Sequence, residues 1–470
     1  MVRPFFSAMS GRFLVVLSTL VLAIGLVRPA HAGPDIQRVM SPGGIEAWLI
    51  EDNSLPIIAM GFNFDAGYSF DPKGKEGLAS LSATLLTRGA GEFDEQKFQE
   101  RLNNRSIILS FDVYSDNLYG SLKTLSPRRD EAFEFLRLAL SEPRFEAEAL
   151  QRAKEQHLSS LQRSQGNGQW VAQRFLSRML YGDHGYAGER LGTAEGIAAV
   201  TKDDMVGYTQ RLMTRDTLLV TVVGDITADE LADRLDQVFG DLPASRTGPV
   251  AVENTVPDRS QVVVIEREVP QTTVSIGQQG IDRADPDWFA ASIANYILGG
   301  GGFQSRLMKA ARVERGLTYG VYSGLRPADA FDVMLMSGST NHEDAGEFLD
   351  VIREEWRVLA EEGPTDDEVE RAKGYLIGSF AKRLLSTEGI ASVLLAIRES
   401  DLGIDYLDQR TSLIEAVSAD DVRRVAAELL NPDGLLVSVV GMPEGIEADR
   451  TVPLGSDILD ALAEEPFGGS

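Results

Sequence analysis

The period of hydrophobic and polar positions changes several times along the chain, and each change marks an element. "PIIAMGFNFDAG", from Pro56, alternates like a half-buried strand. "SIILSFDVYSDNLYGSLKTL", from Ser106, predicts a hairpin turning at Ser115-Asp116-Asn117. Helical spacing then takes over near 130–141, 146–163 and 168–180. Later the same order returns, with strands expected at 261–267, 272–280, 318–325 and 331–338 and helices at 343–361 and 365–385. Thr365 and Glu368 have the spacing of a capping box. "EGLASLSATLLTRG", 76–89, reads as an amphipathic helix. Its apolar stripe is Leu78, Leu81, Leu85 and Leu86, and the adjoining face holds only the small, uncharged Ser80, Ala83, Thr84 and Thr87.

The recurrence is also visible residue by residue. "TKDDMVGYTQRLMTRDTLLVTVVGD" from Thr201 and "SADDVRRVAAELLNPDGLLVSVVGM" from Ser418 align without a gap at an offset of 217. Each opens a helix with Ser or Thr followed by two aspartates and ends an apolar strand on glycine, at Gly224 and Gly441. "ALQRAKEQHL" near 150 echoes "EVERAKGYLI" near 370. The chain is therefore expected to hold two homologous domains, 33–245 and 261–450, joined by a linker at 246–260 and followed by a loosely held acidic tail, 451–470. Strands grouped before helices predict an α+β fold. Each domain is expected to be a mostly antiparallel sheet layered with helices on one side.

Composition narrows the function classes. A basic start, an apolar run from about Phe13 to Val27 and "AHA" predict a signal peptide, 1–32, cleaved after Ala32, hence a periplasmic or secreted protein. The run is shorter than the roughly 20 residues a membrane span needs, and no later segment qualifies, so no membrane span is expected after signal removal. The 71 acidic and 45 basic side chains leave a net charge of -26, a field that repels nucleic acid and anionic lipid and favours basic ligands. With no cysteine, thiol catalysis, disulfides and Cys-ligated zinc are excluded. Beyond the signal segment only His157, His184 and His342 remain, none paired at i, i+4.

The duplicated α+β halves, the helix preceded by "GYSFDPKGKEGLAS", the segment "YGDHGYAGERLGTAEGIAAVTKDDM" and "GGGGFQSRLMKAARVERGLTYGVYSG" together resemble the pitrilysin/insulinase metallopeptidases, which include the mitochondrial processing peptidases. The resemblance covers nearly the whole mature chain and implies the LuxS/processing-peptidase-like fold. Active members carry H-x-x-E-H on the opening helix, two histidines binding zinc and a glutamate as general base, with a distal acidic ligand some 75 residues on. On this chain those positions fall on Ser80, Ala83 and Thr84, and the distal one near Ser159 or Ser160. None is a useful zinc donor, so no cofactor is expected in this chain. His157 lies near the distal position, but one imidazole does not rebuild a three-ligand site. For His184 the better expectation is a structural role.

The resemblance also implies a role for Arg312 and Tyr319 in "RVERGLTY". They match an arginine and a tyrosine that bind substrate and stabilise the oxyanion in active members. The alternative for them is a surface cation and a packed strand residue. Gly299, Gly300, Gly301 and Gly302 allow close backbone approach to a ligand or form a plain domain turn. No G-K-[ST] follows, so this is not a P-loop. The expected function is the non-catalytic, substrate-binding subunit of a heterodimeric periplasmic zinc peptidase. An H-x-x-E-H-bearing homologue would supply the zinc, and extended peptides would be the ligands. The alternative is a structural or peptide-holding scaffold with no part in proteolysis. An independent hydrolase finds little support, because no G-x-S-x-G occurs.

Overall fold

The structure, a computed structural model, describes residues 35–463; the expected signal peptide and residues 464–470 lie outside the described residues. The chain from Ile36 onward builds two six-stranded sheets of the same plan. The first comprises β1 (Gln37–Met40), β2 (Glu46–Glu51), β3 (Ile57–Phe64), β4 (Ile108–Val113), β5 (Leu118–Leu125) and β6 (Leu219–Gly224), in the order β1-β2-β6-β3-β5-β4. The second comprises β7 (Gln261–Glu266), β8 (Thr272–Gln279), β9 (Thr318–Arg326), β10 (Val333–Thr340), β11 (Leu436–Gly441) and β12 (Arg450–Val452), in the order β12-β7-β11-β8-β10-β9.

The repeat seen in the sequence is a repeat of topology. β6 lies parallel to β2 and antiparallel to β3, and β11 lies parallel to β7 and antiparallel to β8. Capping boxes at Thr201–Asp204 and Ser418–Asp421 start the two helices that lead into β6 and β11. The expected hairpin is β4–β5, with Asp112 opposite Tyr119 and the turn at 114–117. The predicted helices appear as Arg129–Ser141, Ala147–Ser164, Gly168–Tyr181, Ala345–Glu361 and Asp366–Phe380, the last opened by the Thr365–Glu368 box.

Helices cover both faces of each sheet, not one as the sequence suggested, because the halves exchange a helix. On the first sheet Ile58, Met60, Phe62 and Phe64 point into the core shared with helices of their own half. The opposite face, with Trp48, Ile50, Ala59 and Val223, packs against Ala391, Val393, Leu394 and Ile397 of the helix Thr387–Glu399 from the second half. Thr221 on β6 donates its hydroxyl to the Ala391 carbonyl at 2.9 Å, and Arg398 donates to the Val220 carbonyl at 2.6 Å. Reciprocally, Val263, Ile265, Leu436 and Val440 on the outer face of the second sheet pack against Val171, Phe175, Leu176 and Met179 of the helix Gly168–Tyr181 from the first half.

The connecting segment 246–260 has no helix or strand, but it is held down. Arg246 lies 4.3 Å from the Phe70 ring centroid and 3.6 Å from Asp65, and the Asn254 N–H donates to the Ala330 carbonyl at 2.7 Å. The described part of the expected loose tail is also folded. β12 extends the second sheet in parallel with β7, and Ile458, Ala461 and Leu462 of the short helix Ile458–Ala463 bury themselves beside the Gly168–Tyr181 helix. Their apolar side chains, three residues or so apart, supply the docking face that the acidic composition concealed.

Because each sheet borrows a helix from the other half, the two halves are expected to unfold together. Phe175 is fully buried under the second sheet, so Phe175→Ala should cost about 3–5 kcal/mol. A denaturant titration followed by both circular dichroism and tryptophan fluorescence should show one transition moved to lower denaturant. Two separated transitions would contradict the coupling.

Candidate functional site

The helix expected from the resemblance to correspond to the metal-binding helix of active peptidases is Leu78–Leu85. Its leucine stripe is buried in the first core, and the Asp71 carboxylate accepts from the N–H groups of Gly77 (2.7 Å) and Ala79 (2.9 Å), which fixes its start. The neighbouring face is closed as well as chemically plain. Ser80 is 5% exposed and donates its hydroxyl to the Arg190 carbonyl; Ala83 is also 5% exposed. Thr84 donates to the Ser80 carbonyl at 2.8 Å. Across from it, on Ala147–Ser164, stands His157, with Nε2 at 3.4 Å from the Thr84 hydroxyl. Of that helix it is His157, rather than Ser160, that meets Thr84. Ser160 lies one turn further on and accepts from Arg163 at 3.0 Å.

These residues do not fit a zinc ion. Two hydroxyls already engaged with backbone carbonyls and one methyl replace the two imidazoles and the carboxylate. His157 is buried, its Nδ1 has no hydrogen-bond partner, and burial together with the Arg190 charge pushes its pKa down to about 4. It is therefore a neutral ring filling space. Among the described residues no group of three or more His, Asp or Glu side chains is arranged to hold a metal ion. His184 is structural: its Nδ1 accepts from the Tyr186 N–H at 3.3 Å and its ring packs against Tyr186 and Phe331.

Arg312 and Tyr319 are brought side by side. The guanidinium donates to the Tyr319 carbonyl at 2.7 Å and lies 4.5 Å from the centroid of the Phe303 ring. Tyr319, on the edge strand β9, is 80% exposed, and Phe303 and Val313 beside it are exposed too. The pair stands on an outer edge of the chain and does not line its chamber. The four glycines are not an open ligand loop. Gly299 and Gly300 belong to a wide helical turn, Tyr296–Gly300, packed on β9, where a Cβ at Gly299 would sit 2.6 Å from the Ser323 hydroxyl. Only Gly302 has a left-handed backbone, φ +56°, and it presents Phe303 to Arg312.

The main cavity, about 1060 Å³, lies where the two halves meet, at the ends of the edge strands β4 and β9. No local signal in the sequence marked it, because its walls come from segments between Tyr68 and Arg410. One wall is acidic. Tyr186 donates to Asp116 from one half and accepts from the Ala330 N–H of the other at 3.0 Å. Asn117 and Tyr119 both donate to Glu399, the former at 2.7 Å. Burial pushes Asp116 up to about 6, with Asp329 adding repulsion, and pushes Asp332 to about 6; Glu399 is raised for the same reason. The lining also carries Arg283, Arg383 and Arg410 among aromatic rings, with Asp282 adjoining Arg283.

Duplicated α+β halves, with an opening helix that presents hydroxyls and a methyl, fit a peptidase-like protein with no metal site among the described residues. Comparison with known proteins agrees. A model described as the peptidase M16 inactive domain matches residues 199–376. The non-peptidase homologue YmxG of Helicobacter pylori is 28% identical over 368 residues, covering 77% of this chain and 83% of that protein. The mitochondrial-processing peptidase subunit beta of Neurospora crassa is 24% identical over 416 residues, covering 82% and 84%. A crystal structure of a peptidase M16 inactive domain from Pseudomonas fluorescens superposes with a TM-score of 0.82 at 28% identity, covering 88% of this chain and 99% of that one. Over most of its length the chain is similar to peptidase M16 proteins, and residues 199–376 match the inactive domain of that insulinase-type group, which its sequence resembled.

Two outcomes follow from this geometry. Zinc bound to the folded chain would raise its thermal midpoint; stoichiometric zinc added after chelation is expected to leave the midpoint unchanged. Asp116 holds its proton to higher pH in the folded than in the unfolded chain. Its contribution is therefore complete below the ordinary value of 3.8 and lost as pH rises through about 6. Asp116→Asn keeps an acceptor for Tyr186 and removes the titration. Thermal melts across pH should show equal stability near pH 4 and a variant more stable by roughly 2 kcal/mol at pH 7.

Proposed function

We propose that this chain is the non-catalytic, substrate-binding subunit of a heterodimeric zinc peptidase, exported to the periplasm and paired with a homologue that carries H-x-x-E-H. The observation that carries this reading is the helix Leu78–Leu85. It keeps its place and its core contacts, but its metal face is sealed by Ser80, Ala83 and Thr84. A chain built this way has no means of activating water on its own.

Arg312 and Tyr319 support the same reading. Held together on an exposed edge beside Phe303 and Val313, they have nothing to act on within a single chain. An exposed apolar cluster around a positioned cation suits a protein interface. In the proposed complex the partner's zinc cleft closes over this edge, the guanidinium and the phenol point at the substrate carbonyl, and an extended peptide pairs with an edge strand. Subunit organisation has a precedent in the name of the Neurospora relative, mitochondrial-processing peptidase subunit beta.

The test is co-expression with an H-x-x-E-H homologue from the same organism and a cleavage assay on unstructured peptides. The pair should cleave and neither chain alone should. Arg312→Ala and Tyr319→Phe should each lower kcat/KM about 100-fold, the usual effect of removing one oxyanion donor. Unchanged turnover in both variants would favour a scaffold with no part in proteolysis. Zinc-dependent cleavage by this chain alone would overturn both readings.

A further inference from the structure

Three of the four arginines lining the chamber, Arg283, Arg383 and Arg410, cluster on aromatic rings, and among the described residues none of the three has a carboxylate partner. Arg410 lies 4.0 Å from the centroid of Phe380 and 6.0 Å from that of Phe289. Arg383 shares Phe380 at 5.9 Å, and Arg283 shares Phe289 at 5.8 Å while also stacking on Trp288 at 4.8 Å. The rings thus link the three guanidiniums into one wall of the cavity. Their polar contacts are few: Arg283 reaches the Tyr406 hydroxyl, and Arg410 donates to the Leu376 carbonyl at 3.2 Å. Among the described residues no salt bridge includes any of them. Arg306 and Arg424, by comparison, pair with Glu368 at 2.8 Å and Asp287 at 2.6 Å.

What sets these three apart is that they share rings along one cavity. Three like charges held close repel one another, and partial burial adds desolvation; the pKa of Arg410 is lowered by burial and by the other two arginines. Stacking on aromatic faces offsets part of that cost and fixes the planar forks. A fixed, unpaired guanidinium fork matches a carboxylate, which it binds through two parallel hydrogen bonds. A cavity of about 1060 Å³ is at the upper end of small-molecule sites, with space for a peptide segment beyond the anionic group itself.

We propose that the wall formed by Arg283, Arg383 and Arg410 with Phe289 and Phe380 is a subsite for the acidic side chains of a bound peptide. The proposal rests on the peptide-handling role proposed above, and adds a preference opposite to the one the net charge suggests. The carboxylates of the peptide take the arginine wall, and its apolar groups lie on the rings between the guanidiniums.

Calorimetric titration of the purified chain with three unstructured peptides of equal length, one rich in Asp and Glu, one neutral and one rich in Lys, tests this without any partner. The acidic peptide should bind about tenfold tighter than the neutral one, and added salt should narrow the gap. Arg410→Gln and Arg383→Gln should each weaken the acidic peptide about tenfold and leave the neutral peptide unchanged. Arg383 is exposed and touches only a ring, so its variant folds; the thermal midpoint confirms this. Equal binding of acidic and neutral peptides, unmoved by either variant, would overturn the subsite and leave peptide binding standing. Displacement of the acidic peptide by equimolar inorganic phosphate would overturn it in favour of a plain anion site. Failure of all three peptides to bind would overturn both the subsite and a peptide-holding role for the isolated chain.

Discussion

The exchange of two helices across the middle of the molecule is the constraint on which the rest depends. Each sheet has an outer face too apolar to meet water: Trp48, Ile50 and Val223 on one, Val263, Ile265 and Val440 on the other. Burying such faces is the main favourable term available to a fold of this kind. Each is covered by a helix of the opposite half, so neither half is complete alone. The exchange brings the end of the Thr387–Glu399 helix, with Glu399, against Asn117 and Tyr119. It also carries Tyr186, just beyond the Gly168–Tyr181 helix, between Asp116 and Ala330. The chamber is the space left between surfaces that this crossing holds at a fixed separation.

Why the helix Leu78–Leu85 offers no place for a metal ion follows from packing as much as from chemistry. An ion site needs donors and also room for water and substrate. Here Ser80 is tied to the Arg190 carbonyl and Ala83 is nearly inaccessible, so there is neither room nor a donor set. Histidines at 80 and 84 would overpack this face. The helix serves as a structural member of the first core. Its leucines are fully buried, and the Asp71 cap still sets its register.

Much of the fold was legible because its signals are local. The β4–β5 hairpin, the capping boxes at Thr201, Thr365 and Ser418, and the strand-then-helix order in each half all stand where period and caps placed them. The exchange was not, since an amphipathic helix has the same pattern whichever sheet it covers. One clue was present: β6 and β11, LVTVVG and LVSVVG, are buried along nearly their whole length, as strands covered on both faces are. β12 is three residues long, too short for any periodicity. At the site, the absence of metal donors on the helix Leu78–Leu85 could be read from Ser80, Ala83 and Thr84 alone. The sealing of that face, the exposure of Tyr319 and the packing role of Gly299 depend on residues distant in sequence, such as Arg190 and Ser323.

The same dependence explains why net charge does not locate the individual charges of the chamber. A field of -26 is a property of the whole surface, and at ordinary ionic strength it is screened within about 8–10 Å. Inside a cavity the nearest groups decide. One wall places Asp116 and Glu399 where burial raises their affinity for protons, which softens its negative charge near and below pH 6. The guanidiniums of the same lining stay charged at any working pH. A ligand inside therefore meets both signs at close range, placed by the residues on which the two halves cross.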